Sequence, residues 1–233
     1  MIDKEILDKR LAAEASLEYV EDGMVIGLGS GSTVNWMLKK LGELVKDGLS
    51  IQGIPTSQRT ERLARELGIP LTDFSEVTKV DIAIDGADEV DGNLNLLKGG
   101  GGSLVREKIV DSASDKLIII VNDKKIVSTL GDFPLPVEVV PFGWEVTARK
   151  LEALGCAPTL RKGKNQIFIS DNGNYILDCK FEKISNPKEL HESLKETVGV
   201  VETGLFISMA DQVIVSVNSD IKILTNEKGF GGS

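Results

Sequence analysis

VDIAIDGADEVDGNLNLLKGGGGSLVREKIVDSASDKLIIIV, Val80 to Val121, carries the signal that decides the fold. Val80 to Ile84 is a short apolar run closed by an acid and a glycine, which predicts a buried strand. Ser103 to Ser114 reads as a helix. Leu117 to Val121 is an unbroken run of β-formers, as found where a parallel strand is covered on both faces. Strand, helix and strand make a parallel crossover unit, and open sheets of this kind hold ligands beyond the carboxyl ends of their strands. At that end lies Asp85 to Glu107, with the carboxylates of Asp85, Asp88, Glu89 and Asp91, then Lys98 ahead of Gly99 to Gly102, then Glu107 about one turn into the helix. Backbone this short of side chains, beside acids and a lysine, suits an anionic small molecule whose protons are to be moved.

The pattern extends in both directions. Asp3 to Val20 predicts an amphipathic helix with Ile6, Ala13, Leu17 and Val20 on one stripe and Leu7 and Leu11 beside it. Met24 to Leu28 reads as a strand, GSGST as a loop, and Val34, Met37, Leu38, Leu41 and Val45 as the apolar face of a second helix. Ser50 to Pro55 predicts a strand and Ser57 to Leu67 a helix ended by Gly68. Alternation of this kind is that of an α/β protein, an open, mostly parallel sheet with helices on both faces. Three prolines in Gly131 to Pro141 mark a crossing into a second unit. There the expected elements are a helix at Trp144 to Leu154, strands at Ala157 to Arg161, Gln166 to Ser170 and Tyr175 to Phe181, and a helix starting at Pro187 with Asn186 as its cap. Asp171-Asn172-Gly173-Asn174 predicts a hairpin between the last two strands. Val213 to Val217 and Ile221 to Leu224 look like strands returning to the first sheet, and the tail NEKGFGGS reads as loose. The division is therefore 1–130 plus about 207–233 for the larger domain and 131–206 for a second, smaller α+β domain.

Composition narrows the function. At 233 residues and 41% hydrophobic content, the chain can bury a real core. Thirty-six acids against 27 bases give a net charge of -9, with no basic stripe to bind nucleic acid. No apolar run is long enough to span a membrane, and the N-terminus is charged from its third residue, unlike a leader or anchor. Cys156 and Cys179 lie in unrelated segments, which fits a reducing compartment and makes the cytoplasm the expected location. The single histidine, His191, falls in a polar helical pattern, which argues against a histidine-centred metal site or a Ser/His/Asp triad. Acid–base chemistry then falls to carboxylates and lysines.

GLGSGST, Gly27 to Thr33, puts small residues and hydroxyls at a helix N-terminus, where free N–H groups and the helix dipole favour a phosphate. It is not a dinucleotide fingerprint, because Ser32 stands at the third glycine position, and it is not a P-loop, because no Lys-Ser/Thr pair follows. Plainer readings exist for each feature. The turn can be an ordinary capped βα loop, the acids a surface turn or a divalent-metal loop, the glycines a linker, and Glu107 a helix-dipole acid. Lys124 and Lys125 follow the Leu117 to Val121 strand and so also sit at a carboxyl edge.

GLGSGST, IDGADEVD, LLKGGGGSLVREKIV, FPLPVEVVP, DNGNYILD and GVVETGLF stand in an order and spacing that resembles the A-type ribose-5-phosphate isomerase family across nearly the whole chain. The resemblance implies a Rossmann-like domain carrying the site, a smaller α/β domain, and a homodimer or a tetramer of dimers. It also implies interconversion of D-ribose 5-phosphate and D-ribulose 5-phosphate in the non-oxidative pentose phosphate pathway, with no metal and no organic cofactor. By position it makes Glu107 the general base and lines the sugar-phosphate site with Ser30, Gly31, Ser32 and Thr33, Asp85, Gly86, Ala87 and Asp88, Lys98, Gly99, Gly100 and Gly101, and Lys125. A lysine from the first helix is expected at the phosphate, which in this chain is Lys9 or Arg10. Arg161 to Ser170 is longer and more basic than the family pattern. Such chemistry passes through an enediol, so one base must serve two carbons and a cation must face the developing oxyanion. Glu107 fits the first role and Lys98 with the glycine-loop N–H groups the second. Asp85 is the candidate for ring opening, and Asp88 for holding hydroxyls or orienting Lys98. The competing classes are a sugar-phosphate sensing domain of a transcription regulator, which would need a DNA-binding module, and a coenzyme A transferase-like enzyme.

Overall fold

The computed structural model describes residues 4–164 and 166–225. The chain runs through α1 (Lys4–Ser16), β1 (Val25–Leu28), α2 (Ser32–Lys46), β2 (Gln52–Pro55), α3 (Gln58–Glu66), β3 (Ile82–Asp85), β4 (Glu89–Val90), β5 (Leu96–Leu97), α4 (Leu104–Ser112) and β6 (Leu117–Asn122). It continues with β7 (Leu135–Val139), α5 (Trp144–Glu152), β8 (Ala157–Leu160), β9 (Tyr175–Lys180), α6 (Pro187–Lys195), β10 (Val200–Thr203), β11 (Leu205–Phe206), β12 (Gln212–Val217) and β13 (Asp220–Thr225).

The largest sheet has the order β13-β12-β6-β3-β1-β2, parallel except for β13, which returns antiparallel on β12. The α/β expectation holds, and the last two strands do rejoin the first sheet. All six residues of β6 are buried, and they alternate between two cores as strand geometry requires. Ile118 and Ile120 pack with α1 and α2 around Ala12, Leu28, Met37 and Leu41. Ile119 and Val121 face the other way, onto Leu96, Phe206, Val213 and Val215. That second face is covered in part by a three-stranded sheet, β11-β5-β4, rather than by helices alone. Strands of two residues leave too short a pattern to be seen in the sequence.

Three local expectations are corrected. The buried face of α1 is Asp8, Ala12, Ala13 and Ser16, while Ile6 is 43% exposed. Small residues let the helix lie close on β6 and β12, and Asp8 is buried because it accepts Ser216 Oγ and Ser219 N–H at 2.9 Å each. Beyond what was expected of it, the proline-rich stretch also holds a central strand, β7, between β9 and β10 in the antiparallel sheet β10-β7-β9-β8. Proline is normally excluded there because it cannot donate. Pro136 is tolerated because its carbonyl takes Gly204 N–H at 2.7 Å, and the Gly204 carbonyl takes Lys98 N–H at 2.8 Å, so no ladder acceptor is left empty. Gln166 to Ser170 is not a strand: β8 pairs directly with β9. Asp171 to Asn174 does form a tight turn, closed by Ser170 N–H to the Asn174 carbonyl at 2.9 Å. The segment before it leaves the sheet and crosses toward the carboxyl ends of the parallel strands. At α6 the helix begins where expected, but the Asn186 side chain makes no capping hydrogen bond. The tail from Asn226 and the first three residues lie outside the described residues. Among the described residues no helix is long and apolar enough to cross a membrane.

Candidate active site

β6, β3 and β1 are parallel neighbours, so the loops that follow them emerge side by side. They carry Asn122 to Lys125, Asp85 to Asp88 and Gly29 to Gly31, and the β5–α4 loop brings Lys98 to Gly102 over them. Together they enclose a cavity of about 530 Å³. Of the residues expected from the sequence, Ser30 to Thr33, Gly86 to Asp88, Lys98 to Gly101, Glu107 and Lys125 line it. Asp85 does not. It is fully buried behind Lys98, where its Oδ1 accepts Ser30 N–H at 2.9 Å and Gly86 N–H at 2.7 Å. The approach explains Gly29, since a Cβ there would lie 2.3 Å from the Asp85 carboxyl carbon.

Lys98 is 1% exposed and is among the largest fully buried side chains of the described residues. Its Nζ stands 2.9 Å from Asp85 Oδ2 and 3.7 Å from Glu107 Oε2, donates to the Gly86 carbonyl, and lies 5.3 Å from the centre of the Phe206 ring. Burial works against the ammonium's charge, but Asp85, Glu107 and Asp111 outweigh it and hold the pKa above the ordinary lysine value. Glu107 is 4% exposed. Burial pushes its pKa up to about 8, with Lys98 opposing and the charges of Asp85 and Asp88 adding to the rise. A carboxylate in such a place is a stronger base than one in water. Asp88 borders the cavity and accepts Gly100 N–H at 2.8 Å, which anchors the glycine loop.

The start of α2 and two lysines border the same cavity. Gly31 precedes α2 with φ 129°, a backbone that favours glycine, and the first turn of α2 presents its amides to the cavity. Lys125 and Lys9 line the same space. Arg10, the other candidate from α1, points away and pairs with Glu14 at 2.6 Å. Lys124 pairs with Glu5 at 3.0 Å. Glu89 and Asp91, grouped by the sequence with Asp85 and Asp88, serve as turn acceptors instead. Glu89 takes the N–H groups of Gly131 and Phe133, and Asp91 takes those of Asn93 and Asn95.

A model of the family described as ribose 5-phosphate isomerase A (phosphoriboisomerase A) matches residues 52–220. The chain belongs to the ribose-5-phosphate isomerase A family. Ribose-5-phosphate isomerase A 2 of Oceanobacillus iheyensis is 53% identical over 221 residues, 94% of this chain and 99% of the relative. The ribose-5-phosphate isomerase A of Gloeobacter violaceus is 52% identical over 226 residues, 96% of this chain and 98% of that one. Among solved structures, a D-ribose-5-phosphate isomerase in complex with phospho-erythronic acid superimposes with a TM-score of 0.92 at 41% identity, covering 97% of this chain and 100% of the other. The enzyme of Plasmodium falciparum gives 0.91 at 42% identity, covering 96% and 99%. The chain is a ribose-5-phosphate isomerase by activity, a step of pentose phosphate metabolism.

For this member of the family, the sequence reading missed part of the cavity wall. Ser30 Oγ does not reach into free space. It is tied to the hydroxyls of Thr56 (2.9 Å), Ser57 (2.8 Å) and Thr60 (3.0 Å), a cluster that follows β2 at the same sheet edge. The signal was present as three hydroxyl residues around a strand end. Phe168, Ile169 and Asp171 also border the cavity, and nothing in the local pattern of Gln166 to Ser170 announced that they would leave their own sheet.

Proposed function

We propose that Glu107 is the base that carries a proton between C2 and C1 of open-chain ribose 5-phosphate, and that Lys98 is the cation facing the enediolate oxygen. The observation that carries this is Lys98, fully buried at the cavity wall within 2.9 Å of Asp85 and 3.7 Å of Glu107. Glu107 takes the C2 proton, charge develops on O1, and the Lys98 ammonium with glycine-loop N–H groups stabilises it. Glu107 then returns its proton to C1 while the O2 hydroxyl proton passes to O1. Ring opening needs a group that meets the sugar. Asp88 borders the cavity and Asp85 does not, so the geometry supports Asp88 for that transfer and Asp85 for orienting Lys98, the reverse of the expectation from sequence. The phosphate fits the α2 amides of Ser32 and Thr33 with Lys125 and Lys9. The relative bound to phospho-erythronic acid supports a sugar-phosphate ligand of this kind.

The same reading treats 131–206 as a smaller domain and the protein as a cytoplasmic homodimer or homotetramer. Support for self-association comes from Phe142 (94% exposed) and Val198 (77%), brought together where Val140 N–H meets the Gly199 carbonyl at 2.9 Å. The decisive experiment follows ribulose 5-phosphate formation by wild type and Glu107→Gln, with and without EDTA. A general base should be worth about 10²–10⁴-fold in kcat, and activity should survive the chelator. Near-normal turnover by Glu107→Gln would remove Glu107 from the role.

A further inference from the structure

Gly99 to Gly102 carry no side chains, and Gly99 (φ 97°) and Gly102 (φ 86°) sit in left-handed backbone. The loop closes on itself through Gly102 N–H to the Gly99 carbonyl at 2.9 Å, and the peptides between still need outside groups to hold one shape. Asp88 binds it through Gly100 N–H at 2.8 Å. The Phe168 ring presses on Gly102, where a Cβ would come within 2.3 Å of the ring. Arg161 completes the clamp: its Nη1 donates to the carbonyls of Gly99 (3.0 Å) and Gly100 (3.2 Å). The guanidinium is itself fixed. Nε donates to Asp178 Oδ2 at 2.9 Å, Nη2 donates to Oδ1, and the Phe168 ring centre lies 5.8 Å away. Its side chain is 12% exposed and borders no part of the cavity.

Peptide planarity turns this clamp into a site feature. In a trans peptide the N–H points opposite to the C=O, and the described residues contain no cis bond. Drawing the carbonyls of Gly99 and Gly100 out toward Arg161 therefore turns the N–H groups of Gly100 and Gly101 the other way. The first meets Asp88. The second has no partner among the described residues, and Gly101 borders the cavity.

We infer that Arg161 is a positioning residue for the isomerisation: by holding the two carbonyls outside, it aims Gly101 N–H at the oxygen on which charge develops. Its charge on the carbonyl side also polarises the peptide toward a better donor. The inference rests on the reading of Glu107 and Lys98 given above, and it adds the donor opposite them. Asp178 and Phe168 act through Arg161 and the loop.

The test compares wild type with Arg161→Ala, Arg161→Lys and Asp178→Asn. Losing the aim of one oxyanion donor should lower kcat by about 10- to 100-fold, with KM for ribose 5-phosphate changed by no more than about threefold, because the ground-state carbonyl carries little charge. Affinity for phospho-erythronate, whose carboxylate carries the charge of the enediolate, should fall in step with kcat. Guanidinium chloride below denaturing concentration should restore part of the kcat of Arg161→Ala, and sodium chloride at equal ionic strength should not. Arg161→Lys, with one donor head, should fall between. If Arg161→Ala does not fold, Asp178→Asn should show the same kcat loss in a folded protein. Turnover within about twofold of wild type in Arg161→Ala, or a kcat loss that leaves phospho-erythronate affinity unchanged, would overturn the inference. Neither result bears on Glu107, whose own variant tests the base.

Discussion

Glu107→Gln is expected to lower turnover by about 10²–10⁴-fold and at the same time make the protein more stable above neutral pH. Glu107 is 4% exposed, and burial raises its pKa from 4.5 to about 8 even with Lys98 opposing. The folded state therefore binds this proton more tightly than the unfolded chain does. Between pH 4.5 and about 8 the folded form carries more protons, so stability falls as pH rises through that window, and below it the effect disappears. At about 1.4 kcal/mol per pH unit, the cost of keeping the carboxylate charged is capped at about 5 kcal/mol above pH 8 and is about 3 kcal/mol at pH 7. Glutamine carries no charge at any pH, but its amide must find partners in the same place, which costs about 1–3 kcal/mol. The net gain at pH 8 is then about 1–3 kcal/mol, or about 3–10 °C in Tm for a chain of this size. Thermal or urea unfolding of both proteins at pH 5 and pH 8, with turnover measured on the same samples, checks it. A variant no more stable than wild type at pH 8, or a difference that is the same at both pH values, would refute the argument that burial of the charge sets the base.

Other outcomes follow from the same geometry. The pH profile of kcat/KM should rise with pH to a limb near pH 8, where Glu107 loses its proton, and a limb in the ordinary carboxylate range would show that burial does not control it. Lys98→Met should abolish turnover and also cost about 3–5 kcal/mol in stability, since it leaves the buried Asp85 carboxylate without its cation; urea unfolding measures the second effect. Lys9→Ala should raise KM for ribose 5-phosphate, whereas Arg10→Ala should leave steady-state kinetics unchanged, because Lys9 borders the cavity and Arg10 is paired with Glu14 on the outer face.

Strand and helix periodicity made most of the larger sheet readable. Val80 to Ile84 and Leu117 to Val121 are apolar enough to be buried on both faces, and each lies close to its observed strand, β3 and β6. On the first helix the expected stripe holds at Ala13 and Leu17 but not at Ile6, because a helix that must lie close on a sheet buries Ala12, Ala13 and Ser16 there instead. Pro136 stands inside the central strand β7 because its missing donor falls where Lys98 N–H supplies the Gly204 carbonyl. Tertiary contacts divide the acidic run: Asp88 borders the cavity, Asp85 lies buried behind Lys98, and Glu89 and Asp91 bind backbone amides of turns.

By itself the sequence determined that the protein is an α/β fold, and it grouped Lys98, the glycines and Glu107 in one segment at a strand's carboxyl end as the candidates for acid–base chemistry. Those conclusions depend on residue type and on spacing within one segment, which are local. Only the tertiary structure decided that Asp85 stands behind Lys98 while Asp88 meets the cavity, that Lys9 rather than Arg10 faces it, and that Arg161 crosses from the small sheet to grip the Gly99 and Gly100 carbonyls. These are matters of direction and burial between segments far apart in the chain. Direction and burial also give Glu107 a raised pKa, because the same glutamate on a solvated helix would titrate as an ordinary surface acid.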